Sequence, residues 1–139
     1  MPYKRKTWTE KMKHGAKPQI EKTGKPFADI PENAKMLIAT PDIVDAYIRN
    51  IPKGHSTSLQ QMRKDLAAEY HADYTCPITS GIFLRIVAEH AYEEYKQGKP
   101  ASKITPFWRM IDNQSPTAKK LSFGMDFVTE QRRKEGLAL

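Results

Sequence analysis

One cysteine, four histidines and sixteen carboxylates are the groups in this 139-residue chain that could do chemistry. Cys76 precedes Pro77, which suits the first turn of a helix because its missing N–H is not needed there. A thiol beside a helix N-terminus ionises more readily, so Cys76 is the one candidate nucleophile. No general base is identifiable for it, and a buried or capping cysteine is the simpler reading. His14, His55, His71 and His90 have no metal-ligand spacing among themselves or with Cys76. Neither a metal nor a cofactor is therefore expected. The chain has no phosphate-cradling glycine loop and no GxSxG elbow. Its carboxylates fall on helix faces, where solvation explains them. A single cysteine also rules out an internal disulfide.

Charge is the stronger signal, through its placement. Residues 1–26 hold Lys4, Arg5, Lys6, Lys11, Lys13, Lys17, Lys22 and Lys25 against Glu10 and Glu21, a net +6 of the chain's +7. The rest is close to neutral. A basic arm of this kind can hold nucleic-acid phosphates, and it can also serve as a solubilising tail. The division expected is an arm over 1–34 and one domain over 35–139. No apolar run approaches the roughly 18 residues of a membrane span, and no apolar core follows the basic N-terminus. The expectation is a cytoplasmic protein with no membrane partner.

The elements that would position these groups are mostly helices. Cys76 to Gln97, closed by Gly98, reads as a central helix of about 20 residues, roughly 30 Å long. Its first half is apolar nearly all round, with Ile78, Ile82, Phe83, Leu84, Ile86 and Val87, which predicts burial on most sides. Arg85, Glu89, Glu93 and Lys96 make one wet stripe. Thr79 and Ser80 place small polar groups near its start. Thr40-Pro41-Asp42 opens an earlier helix with Ile43, Val44, Tyr47, Ile48 and Ile51 at 3,4 spacing. Ser58-x-x-Gln61 resembles a capping box leading a second helix through Leu59, Met62, Leu66 and Tyr70. Residues 71–75 then form a short link, so 58–97 suggests a helix-turn-helix; two adjacent helices of any small α domain would look the same.

Elsewhere, Trp8 and Met12 form an i,i+4 pair in one helical turn that should dock on something. Residues 15–31 predict irregular, extended chain. Met36-Leu37-Ile38 is a short apolar run compatible with a strand. Ile104 to Ile111 predicts either a strand-like wing or an ordered loop. Ser115-Pro116 starts a short helix to about Leu121. Met125 to Glu135 forms the last helix, with Arg132, Arg133 and Lys134 near its C-terminus, where cations suit the dipole.

Four of these stretches together resemble the C-terminal domain of the alkylguanine-DNA alkyltransferases over about 41–137. Ile51-Pro52-Lys53-Gly54-His55-Ser56-Thr57-Ser58 looks like the family's IPxGxxxT/S opening. The two helices follow in the same order. Ile104-Thr105-Pro106-Phe107-Trp108-Arg109-Met110-Ile111 falls where the family has IPCHRVI, and Glu135-Gly136 matches its closing EG. The family's alkyl-accepting cysteine and its histidine correspond to Phe107 and Trp108. Its nucleotide-rotating tyrosine corresponds to Leu59, and its intercalating arginine falls near Ile78. The chain is thus similar to the non-catalytic alkyltransferase-like proteins, and departs from them in also lacking the histidine. It looks closest to a bacterial branch with CPxTxGIF and P-aromatic-W-R together.

The resemblance implies a mainly α, winged helix-turn-helix-like domain that binds double-stranded DNA without being an enzyme, with the sensing of damaged or modified bases as the implied role. Its contacts would be Ser58, Leu59, Thr79, Ser80 and the arm's Lys4, Arg5 and Lys6. Phe107, Trp108 and Arg109 would line what is left of the base pocket. The alternative is a protein or RNA interaction module on a degenerate alkyltransferase fold, its partner held by the arm. A thiol enzyme using Cys76 is the third reading.

Overall fold

The computed structural model describes residues 6–13 and 17–139. The helix predicted over Cys76 to Gln97 forms as α4, Pro77–Lys96. Pro77 sits at its first turn, and Gly98 beyond its end takes φ 110°, a left-handed conformation open to glycine at no steric cost. Helices α1 (Trp8–Met12), α2 (Pro41–Arg49) and α3 (Leu59–Glu69) pack on α4. So do two 3-10 turns, Phe107–Arg109 and Pro116–Lys120. The last helix, α5, spans Asp126–Glu135, and Gly136 stops it at φ 75°.

Local chemistry explains the boundaries. In α2 the Thr40 hydroxyl donates to the Asp42 carboxylate and caps no backbone N–H. Pro41 pre-sets the first turn, and Val44 and Ile48 bury the inner face. In α3 the Ser58 hydroxyl accepts from the Gln61 N–H at 3.0 Å, satisfying one donor that the first turn leaves open. Met62 and Leu66 then point inward.

A small sheet of order β1-β2-β3 lies beside the helices. β2 is Lys35–Ile38, the apolar run compatible with a strand. β1, Gln19–Lys22, pairs antiparallel with it, setting Ile20 opposite Leu37. This corrects the expectation of irregular chain over 15–31, and the folded body reaches back into the stretch read as arm. β3 is Tyr74–Thr75, inside the segment read as a link, and runs parallel to β2. Asp73 fixes the register: its N–H donates to the Lys35 carbonyl at 2.9 Å, and its carboxylate accepts from the Lys35 N–H at 2.9 Å.

The result is a helical single domain with a three-stranded sheet. Among the described residues no strand follows α4, so the segment after it is the ordered loop and not the strand-like wing. Leu37, Val44, Ile48, Met62, Leu66, Leu84, Val87, Phe107, Ile111 and Val128 form one continuous core. Two expectations about α4 fail. Ile78 and Ile82 are 55% and 51% exposed, although the helix start was predicted to be buried on most sides. Glu89, assigned to the wet stripe, is buried and accepts from the Ser122 N–H at 2.9 Å and from its hydroxyl.

Candidate nucleic-acid interface

The start of α3 and the first half of α4 share one face, and the contacts predicted there divide. Ser58 is exposed, but its hydroxyl is engaged as the cap of α3. Leu59 is half-buried against the core. Thr79 is half-buried, and its hydroxyl oxygen is buried without a partner. Ser80 corrects the expectation outright: it is 0% exposed, and its hydroxyl donates to the Cys76 carbonyl at 2.6 Å. One position along a helix turns a side chain by 100°, so with Ser80 on the inner face its neighbours Ile78 and Ile82 fall outside. Nothing lies within 4 Å of where a Cβ on Gly81 would stand, so the surface between the two isoleucines is open.

Leu59, Ile78, Gly81 and Ile82 wall a hollow of about 730 Å³ that also takes in Trp8, Pro77 and Pro116, whereas Ser58, Thr79 and Ser80 do not line it. Its cations are Lys11, Arg85 and Lys120, and no carboxylate lines it. Arg85 is the least free of them. Its guanidinium sits 5.4 Å from the Trp8 ring centre, and its Nε lies 3.9 Å from the Glu89 carboxylate. A second hollow, of about 350 Å³, adjoins the first through Leu59, Pro116 and Thr117 and is walled by Ser58, Met110, Asp112 and Ser115.

The arm enters at the same face. Lys4 and Arg5 lie outside the described residues, whereas Lys6 is exposed. The Thr7 hydroxyl oxygen accepts from the Glu10 N–H at 3.1 Å and caps α1. The predicted Trp8 turn does dock, and its support is α4. Lys11 stands 4.3 Å over the indole, and the Thr9 hydroxyl donates to Glu93 at 3.4 Å.

Phe107, Trp108 and Arg109 are brought together elsewhere. Phe107 is fully buried, with ring centres of Trp108, Phe123 and Phe127 at 5.6, 5.8 and 5.9 Å. It fills core and lines no hollow among those described here. Trp108 and Arg109 wall a separate cleft of about 380 Å³ with Arg49, Lys53 and Lys134, and this cleft shares no lining residue with the α4 hollow. Of the three residues expected to line a base pocket, Trp108 and Arg109 wall this cleft and Phe107 does not. The regions are linked at the Arg109 carbonyl, which accepts from the Thr57 N–H at 2.9 Å and the Ser56 hydroxyl at 3.1 Å.

Glu135 organises the cleft. Its carboxylate accepts from the Trp108 indole N–H at 2.7 Å, the Gly54 N–H at 2.9 Å and the Arg109 guanidinium at 3.0 Å. Arg109 also donates to the Ile51 carbonyl at 2.9 Å. Burial pushes the Glu135 carboxyl up, but the bonds from Arg109, Gly54 and Trp108 outweigh it and hold the group below its ordinary value. Gly54 reaches its place with φ 83°, so the residue type in Ile51-Pro52-Lys53-Gly54 is dictated by this contact. Arg132 is a further correction. Read as a dipole cation at the end of α5, it is buried and donates to the Trp108 carbonyl at 2.6 Å and the Ala138 carbonyl at 2.7 Å. Burial pulls its pKa down, and Asp112 and Glu135 oppose that shift.

Cys76 is buried at the start of α4, and its N–H donates to the Leu37 carbonyl at 2.8 Å. Among the described residues no three of His, Cys, Asp and Glu converge as metal ligands, and no helix is long and apolar enough to cross a membrane. Comparison with protein-family models, with curated proteins and with solved structures finds no match.

Proposed function

We propose that the protein is a non-enzymatic binder of double-stranded DNA of the alkyltransferase-like kind, and that the α3–α4 face is its contact. The observation that carries this reading is the α4 hollow. Exposed Ile78 and Ile82 lie among Lys11, Arg85 and Lys120 with no carboxylate in the lining. Apolar side chains flanked by cations suit a base stack bounded by two phosphate strands. The adjoining hollow beside Ser58 and Leu59 is where an extruded or modified base would be received. Phe107 and Trp108 have no part in that contact, and their chemistry gives no alkyl acceptor. The helix-turn-helix reading of α3 and α4 is retained; the wing is not.

The test is a titration of plain and alkylated duplexes against the parent, Ile78→Glu and Lys120→Glu. Both variants place a carboxylate on an exposed face, so both should melt like the parent. Each should weaken binding by about tenfold, equivalent to 1.4 kcal/mol. Duplex binding that is unchanged in both variants would remove this face from consideration. The same two exposed isoleucines favour a second reading, a protein-docking face. Loss of a protein partner in Ile78→Glu, with no salt-dependent DNA binding by the parent, would select it.

A further inference from the structure

We infer that the cleft beside Trp108 binds a small phosphomonoester, whose phosphate is held at the rim by Arg49, Lys53 and Lys134. The site is separate from the α4 hollow and does not depend on the DNA reading. At about 380 Å³ the cleft falls within the range of small-ligand sites. Its floor is apolar, since Ile104, Pro106 and Trp108 are all buried. Four cations and one carboxylate line it. The carboxylate is Glu135, and both of its oxygens are taken. Oε1 accepts from Gly54 and Arg109, and Oε2 from Trp108 and Arg109. The Arg109–Glu135 pair thus belongs to the fold, and neither member is available to a ligand.

The other three cations come from three places in the chain: the end of α2, the loop after it and the end of α5. Arg49 gives its Nε to Asp45 at 2.9 Å, and its terminal nitrogens make no hydrogen bond among the described residues. The side chains of Lys53 and Lys134 have no partner there at all. A helix C-terminus favours a nearby cation, which accounts for Arg49 and Lys134 one at a time. It does not account for Lys53, which lies beyond α2, nor for all three lining one cleft. Gathered without an anion, they repel one another. A phosphomonoester carries about −1.5 to −2 charge at pH 7 and three strong acceptor oxygens, which suits three cations with unused donors. A carboxylate would offer one charge and two oxygens. The Ser102 hydroxyl and the Gln131 amide, also without partners among the described residues, are left to bond the ligand's body, with Ile104 and Pro106 beneath it.

The test titrates the full chain with adenosine monophosphate and follows the two indole N–H resonances, which Trp8→Phe assigns. The Trp108 resonance should shift saturably, with half-saturation at about 1 mM or below, and that of Trp8 should stay in place. Inorganic phosphate should displace the nucleotide, and adenosine should bind at least about tenfold more weakly than the monophosphate. Lys53→Gln and Lys134→Gln alter exposed side chains, so both should melt like the parent. Each should weaken nucleotide binding about tenfold, and Ile78→Glu should leave it unchanged. No saturable shift by roughly 10 mM, equal affinity for acetate, no displacement by phosphate, or parent-like binding when both lysines are replaced overturns the inference. So does a plain duplex that displaces the nucleotide from the parent and from Ile78→Glu alike, which would make the cleft a nucleic-acid contact. The α4 face is judged separately, by duplex binding in Ile78→Glu and Lys120→Glu.

Discussion

Replacing Glu135 with alanine removes one carboxylate and frees three donors from two segments at once. The Trp108 indole N–H, the Gly54 N–H and the Arg109 fork all end on it. The Arg109 and Glu135 side chains are 14% and 6% exposed, so little water is available to replace the lost partner. Removing one member of a buried ion pair costs about 3–5 kcal/mol, since the other charge is left uncompensated. Arg109 keeps its bond to the Ile51 carbonyl, which places the expected loss near the lower end, about 3 kcal/mol. For a chain of this size that is a fall of roughly 10 °C in Tm. The pH dependence gives the sharper test. Glu135 holds its proton less tightly folded than unfolded, because its pKa is lowered from the ordinary 4.5. The stabilisation is therefore fully present above that value and is lost as pH falls through the folded pKa. Urea melts at pH 7 and at successively lower pH should show the gap between parent and Glu135→Ala closing as the carboxyl protonates. Glu135→Gln, which keeps an acceptor for Trp108, should fall between the two at pH 7. A loss below about 1 kcal/mol at pH 7, or a gap that does not narrow in acid, would refute the account of this carboxylate as the tie of the cleft.

Three other outcomes follow from the placements described. Trp108→Ala should cost about 3–5 kcal/mol in stability, as for a large buried aromatic, and leave duplex affinity unchanged; melting curves with titrations at fixed salt check both halves. Ser80→Glu should unfold or strongly destabilise the protein, since it would put a carboxylate at a fully buried position, whereas Ser80→Ala should be mild; circular dichroism melts distinguish them. Incubation with methylated duplex should leave the intact mass unchanged, because Phe107 has no nucleophile and Cys76 is buried. A gain of one methyl group that disappears in Cys76→Ser would contradict this.

The helices were readable because their signals are local. Ser58 with Gln61, Thr40-Pro41-Asp42, Pro77 and the two glycines at 98 and 136 each act within one turn of the boundary they set. The sheet was hidden because its pairing is not local. Tyr74–Thr75 becomes a strand only through Met36 and Leu37, far back in the chain, and Gln19–Lys22 only because β2 is there to pair with. Two-residue and four-residue strands carry too little alternation to be typed by pattern. The arm also shows why deleting residues 1–26 is a poor probe of its charge. The cut would take β1 with it, whereas neutralising Lys4, Arg5 and Lys6 leaves the sheet alone.

The candidate face was half legible for a related reason. A helix that is apolar on every side gives no period from which to tell inside from outside, so Ser80 was placed at the surface and Ile78 and Ile82 in the core. The structure reverses all three, and the reversal strengthens the argument for a partner. Ser80 can be buried because its hydroxyl returns to the Cys76 carbonyl one turn earlier, so the polar group costs the core no unpaired donor. The two isoleucines have no such internal reason to be where they are. Both are about half exposed, so completing their burial would contribute roughly half of the 1.5–3 kcal/mol of a fully buried side chain, and the fold forgoes it. Cations surround them and carboxylates are missing from the lining, which suits a partner with an anionic surface better than a neutral one. The Trp108 cleft, by contrast, is already satisfied from within by Glu135, so its bonds are accounted for by the fold alone. The residues most like a vanished active site are therefore those most fully used by the structure. The proposed binding surface falls to Ile78, Ile82, Lys11, Arg85 and Lys120, with Leu59 carried over from the contacts the resemblance implied.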